Sequence, residues 1–186
     1  MKEKIPTQVY QIKVTLNNIH PPIWRRILVS DKITLFDLHN TLQAVFGWQD
    51  YHLHEFTIHD VPYGDPANDE FDEHAIREEI KTKLRTLDLG EGSRFTYEYD
   101  FGDSWEHFLL VEKVFPYERG KKLPQCIKGK RACPPEDVGG PWGYERFLAA
   151  VRDPQNEEHE SYLEWTGGDF DPEAFDLEAV NERLSL

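Results

Sequence analysis

His54 lies in Leu53 to His59, a stretch with strand-like alternation, and His52 immediately precedes it, so the parity places both imidazoles with Phe56 and Ile58. Further along, Asp100 and Asp103 bracket a turn-forming Phe101-Gly102 pair, and Trp105, His107, Leu109 and Val111 share one face of the strand that leaves it. Neutral imidazole nitrogen and anionic carboxylate oxygen both ligate zinc, iron or manganese. His52, His54 and His107 are therefore read as candidate ligands of a divalent metal, with Asp100 or Asp103 as base or additional ligand. A bound metal would lower the pKa of water and generate a hydrolytic nucleophile. The spacing matches no His-Glu-x-x-His pattern. In the plainer reading the aspartates accept from amides of their own turn, and the histidines are satisfied residues of a core or rim. His52, His54, Asp100, Asp103, Trp105 and His107 are on either reading the expected lining of a polar pocket in an aromatic wall.

Two further groups carry possible chemistry. From Arg119 to Arg131 there are six cations and no acid, and Lys121, Lys122, Lys128, Lys130 and Arg131 form a candidate anion or nucleic-acid contact. The competing expectation, which the charge balance favours, is a solvated loop paired with acids of its own chain. Cys126 and Cys133 lie inside this segment without Cys-x-x-Cys spacing. Ordinary thiols are expected, with a disulfide or a metal as alternatives. Gly139-Gly140 and Gly167-Gly168 fit no phosphate-binding fingerprint and read as turns.

Several elements must position these residues. Gln8 to Asn17 and Ile23 to Val29 alternate as strands on either side of Pro21-Pro22. Thr34 with Asp37 forms an acidic variant of the capping box ahead of Leu35, Leu38, Leu42, Val45 and Phe46, and Gly47 ends that helix. Residues 60 to 80 hold eight acids and read as a solvated excursion. Arg94 to Tyr99 and Trp105 to Val114 read as a hairpin, Tyr144 to Arg152 as a helix, and Asp153 to Glu182, with eleven acids, as further packed helices.

The 186 residues carry 21 Lys+Arg against 35 Asp+Glu, a formal charge of −14, which weighs against nucleic acid as the main partner. Hydrophobic residues at 39% and aromatics at 13% suffice for a real core and exclude wholesale disorder. No apolar window is long enough to span a bilayer, and MKEKIPTQ lacks a signal-peptide core, so a cytoplasmic protein with no membrane contact is expected.

Three segments carry a resemblance: Tyr97-Glu98-Tyr99-Asp100-Phe101-Gly102-Asp103-Ser104-Trp105-Glu106-His107, Cys133-Pro134-Pro135-Glu136-Asp137-Val138-Gly139-Gly140 and Gly167-Gly168-Asp169-Phe170-Asp171-Pro172. With Pro21-Pro22-Ile23-Trp24-Arg25-Arg26 and His52-Leu53-His54-Glu55-Phe56, the chain resembles the plasmid pRiA4b ORF-3-like family from about Val9 to Leu184. The resemblance implies one α+β domain over residues 1–186, with a mainly antiparallel sheet and packed helices, and an association with mobile elements. It implies little chemistry. From the residues themselves, about five strands and three or four helices are expected. A serine resolvase would need a nucleophilic Ser among basic residues, and no such constellation can be placed on this chain. The leading expectation for function is a non-enzymatic binding module with a protein partner. A metal-assisted hydrolase, and phosphate or nucleic-acid binding through residues 119–131, are the alternatives.

Overall fold

The computed structural model describes residues 7–68 and 76–185. Its framework is an eight-stranded sheet. The strands are β1 (Gln8–Leu16), β2 (Trp24–Ser30), β3 (His54–Ile58), β4 (Val61–Gly64), β5 (Arg77–Glu78), β6 (Arg94–Tyr99), β7 (Trp105–Pro116) and β8 (Gln125–Lys130). Their order is β5-β4-β3-β6-β7-β1-β2-β8, antiparallel throughout except for the parallel β4–β5 pair at one edge. The helices are α1 (Leu35–Phe46), α2 (Gly140–Arg152), α3 (His159–Trp165) and α4 (Leu177–Arg183).

The α+β class and the four helices match expectation; the sheet of about five antiparallel strands does not. β4 is short and contains Pro62, and β5 has two residues, so neither has a pattern long enough to read. β8 was hidden differently. It is an edge strand whose exposed positions are Lys128 and Lys130 and whose buried side is marked by Cys126, so the basic segment looked like a loop.

Alternation in β1 sends Tyr10, Ile12, Val14 and Leu16 to the inner face, where they are buried. α1 lies against that face. Thr34 accepts from the Asp37 amide while the Asp37 carboxylate accepts from the Thr34 amide, and Gly47 closes the helix at φ +85°. Leu35, Leu38, Leu42 and Val45 recur at helical spacing and are fully buried, each contributing about 1.5–3 kcal/mol of apolar transfer. Register then aligns the inner face. His54 stands opposite Tyr99, which stands opposite Trp105; Phe56 stands opposite Tyr97, which stands opposite His107.

α4 closes the other end. The Asn181 amide donates to the Cys126 carbonyl and its oxygen accepts from the Cys126 amide, holding the helix to β8. α2, α3 and the segment after them form an aromatic cluster in which Phe147 packs edge-on against Tyr162, Trp165 and Phe170.

Candidate functional site

The two histidines of the β3 segment go to different places. His52 precedes the strand, and its Nε2 lies 2.8 Å from Asp137 and 3.6 Å from Asp100. His54 opens the strand and its Nε2 lies 2.9 Å from Glu79, an acid that is itself buried. Its ring stacks on that of His39, with centroids 3.5 Å apart and planes 6° from parallel. His39 is a residue of the buried α1 stripe, next to Leu38 and four after Leu35. Burial, with a smaller contribution from His54, pulls its pKa down to about 3. Neutral His39 donates to Asp50 through Nε2 and accepts from the Tyr97 hydroxyl at Nδ1, while the Gln43 amide donates to that hydroxyl.

His107 is enclosed entirely. Phe46 and Trp48 pack edge-on against it, its Nδ1 donates to the Tyr97 carbonyl, and burial pulls its pKa down to about 3. Its Nε2 is buried without a hydrogen-bond partner, and among the described residues it joins no group of converging ligand atoms. The set His52, His54 and His107 is therefore not brought together. Among the described residues, the ligand atoms that do converge are those of His39, Asp50 and His54, and those of His52, Asp100 and Asp137. The lone pair of an imidazole lies in its ring plane, so an ion midway between His39 and His54 would sit about 1.7 Å out of each plane, most of a metal–nitrogen bond. As stacked, those two rings serve the hydrogen-bond network. In the His52 group a single imidazole meets two carboxylates.

Asp100, at φ +58°, accepts from the amides of Gly102 and Asp103 and so closes its own turn. Asp103 accepts from the Gly139 amide at 3.0 Å, clamping the start of α2 onto that turn. Gly140, at φ +67°, lies so close to the Asp103 carbonyl that a Cβ would collide with it. Trp105 is buried beside Trp48. Glu136 accepts from the Tyr99 hydroxyl and from the Gln49 amide, which holds the Pro-Pro-Glu-Asp segment against the residues before β3.

The residues around this assembly are unusually open for their type. Tyr51 is 68% exposed, Leu53 46%, Phe101 50% and Trp142 83%. All four belong to the same junction. Tyr51 donates its amide to the Tyr99 hydroxyl, Leu53 accepts from the Asp100 amide, Phe101 lies in the turn, and Trp142 follows Gly140. The three segments that build it, residues 49–54, 99–106 and 133–143, hold six acids and no Lys or Arg. These large exposed side chains, borne on the segments that carry His52, Asp100 and Asp137, are termed the rim. His39, Asp50 and Glu79 were not foreseen; His39 carried the one available signal, its place in the apolar stripe of α1.

The basic candidates separate in the same way. Lys128 and Lys130 project from β8, Lys122 is exposed, and Lys121 lies over the Phe115 ring. Arg131 turns inward, buried and paired with Glu173 at 2.8 Å, so it leaves the candidate anion set. Cys126 and Cys133 are free thiols, both pushed to higher pKa by burial. Among the described residues no helix is long and apolar enough to cross a membrane.

A solved crystal structure, that of a protein of unknown function, MM3350, from Methanosarcina mazei Go1, is similar to this chain with a TM-score of 0.84 and 40% identity, covering 94% of this chain and 98% of that one. The uncharacterized protein y4hQ of Sinorhizobium fredii is 41% identical over 177 residues, 95% of this chain and 90% of that protein. The family model described as plasmid pRiA4b ORF-3-like protein matches residues 8–179, so the segments that build the rim fall within it and the chain belongs to that family.

Proposed function

We propose that the protein is a binding module whose rim receives a cationic side chain, Lys or Arg, from a protein partner. The observation that carries this reading is the exposure of Tyr51, Leu53, Phe101 and Trp142 around a junction that has six acids and no Lys or Arg. Aromatic faces attract a cation through their quadrupole, and a carboxylate with spare lone pairs takes its N–H groups. The Asp137 side chain is 64% exposed and uses one oxygen on His52, so the other is available. Fluorescence polarisation with a labelled Lys/Arg-rich peptide and its Glu-substituted counterpart tests the reading. Binding of the first alone is expected, weakened about 5-fold or more by Trp142→Ala or Phe101→Ala, a loss of about 1 kcal/mol each. Equal binding of both peptides, or no change in either variant, would refute it.

A metal-assisted hydrolase is the second reading, supported by the convergence of His52, Asp100 and Asp137. Here a divalent ion would be held by one imidazole and two carboxylates and would supply an activated water. Elemental analysis after dialysis against zinc or manganese decides it. One ion per chain, lost in His52→Ala, is the expected result; a substoichiometric content that His52→Ala leaves unchanged would end this reading.

A further inference from the structure

The outer face of the sheet carries a second pattern, which does not rest on the rim. α1 and α4 pack against the inner face, and the outward positions Lys13, Thr15, Trp24, Arg26, Arg94, Thr96, Phe108 and Leu110 are half-buried or exposed, while Val9 and Leu28 further along the same face are buried. The register aligns them in rows. Across β8, β2, β1, β7 and β6 one row reads Lys128, Arg26, Lys13, Leu110, Arg94. With strands about 4.8 Å apart, its four cations span about 19 Å. The next row over the same strands reads Lys130, Trp24, Thr15, Phe108, Thr96. Trp24 and Phe108 therefore lie two strands apart, each with cations over its ring: Lys13 and Arg26 at 5.3 and 5.2 Å from Trp24, Arg94 at 5.9 Å from Phe108.

From this juxtaposition of a cation row and an aromatic row on an open sheet face, we infer that the face binds single-stranded nucleic acid. Phosphates need a line of cations, and unstacked bases need flat π-surfaces or guanidinium planes; the two rows supply both side by side. A duplex fits less well, because its major groove admits a helix or a two-stranded ribbon and not a face five strands wide. The face also has acids. Glu112 pairs with Arg26, and the next row, Glu106, Glu98 and Glu55, sets an acidic margin on the far side of the aromatics. A strand is thereby confined to the basic side. The net charge of −14 does not cancel this, since screening limits each charge to about 8 Å at physiological salt and eleven of the acids lie in residues 153–182.

Anisotropy of end-labelled oligo(dT) and oligo(U), at 50 and 200 mM salt, tests the inference and separates DNA from RNA as the source of the strand. Binding of at least one is expected at 50 mM. With about four phosphates neutralised, affinity is expected to fall about 50-fold at 200 mM. The exposed pair Lys128→Glu with Lys130→Glu, and separately Trp24→Ala, are each expected to weaken binding 10-fold or more, while Lys121→Glu with Lys122→Glu leaves it unchanged. Absence of binding to either oligomer at 50 mM, or binding that both sheet variants retain, would overturn the inference. So would competition by anionic vesicles in which Trp24→Ala has no effect.

Discussion

Burial sets the charge of two imidazoles, His39 and His107, and this has a consequence for stability. Both have folded-state pKa values of about 3 against about 6.5 in the unfolded chain, so the unfolded state binds more protons between those limits. Stability therefore falls as the pH drops below 6.5 and is fully present above it. Each group is expected to cost roughly 1 kcal/mol between pH 7.5 and 5.5. Urea denaturation at the two pH values measures the sum, and His107→Leu is expected to remove about half of the difference. A stability unchanged between pH 7.5 and 5.5 would contradict the neutral assignment. Asp100 and Asp103 answer to local rules in the other direction: their sequence signature, acids around Phe-Gly, is that of a turn, and the turn is what they build.

At the scale of elements, Arg25 is the residue on which most depends. Its guanidinium donates to the carbonyls of Val45 in α1, Trp24 in β2 and Lys130 in β8, and lies over the rings of Phe46 and Phe175. It joins the end of the helix to the edge of the sheet without a carboxylate partner among its hydrogen bonds, and burial lowers its pKa. A Lys ammonium cannot reproduce this planar fork. Arg25→Lys is expected to cost about 2–4 kcal/mol in urea denaturation, since hydrogen bonds from a buried charge are worth about 1.5–3 kcal/mol each; a change under about 0.5 kcal/mol would contradict that role. The elements that Arg25 joins differ in how legible they were. β1, β2, β6, β7 and α1 announce themselves because one face of each is apolar at the proper period, and Thr34, Asp37 and Gly47 mark the ends of α1. β8 and the segment carrying Glu79 did not, because their signals are polar and their partners are distant in sequence. Nothing in the sequence from 60 to 80 distinguishes Glu79, the acid that meets His54, from Asp60, Asp65 and Glu78, which are exposed. His52 and His54 share a parity, yet the chain before β3 turns one toward Asp137, a residue 85 positions away.

For the whole molecule, charge is distributed by function of place. Cations collect on the outer sheet face through Lys13, Arg26, Arg94, Lys128 and Lys130, acids collect at the junction of the hairpin turn with the start of α2, and more acids surround the last helices. The two binding surfaces proposed have opposite sign, so neither competes for the other's ligand, and salt should weaken both. The central claim is that the rim, and not the sheet face, takes the cationic partner. The most direct measurement is an amide ¹H–¹⁵N spectrum recorded while a Lys/Arg-rich peptide is added to the intact protein. Shifts confined to Tyr51–Leu53, Asp100–Ser104 and Glu136–Trp142, with a midpoint that Trp142→Ala moves to about 5-fold or more higher peptide concentration, are the predicted result. Shifts absent from those segments, or spread over the acidic residues 153–182 instead, would contradict it.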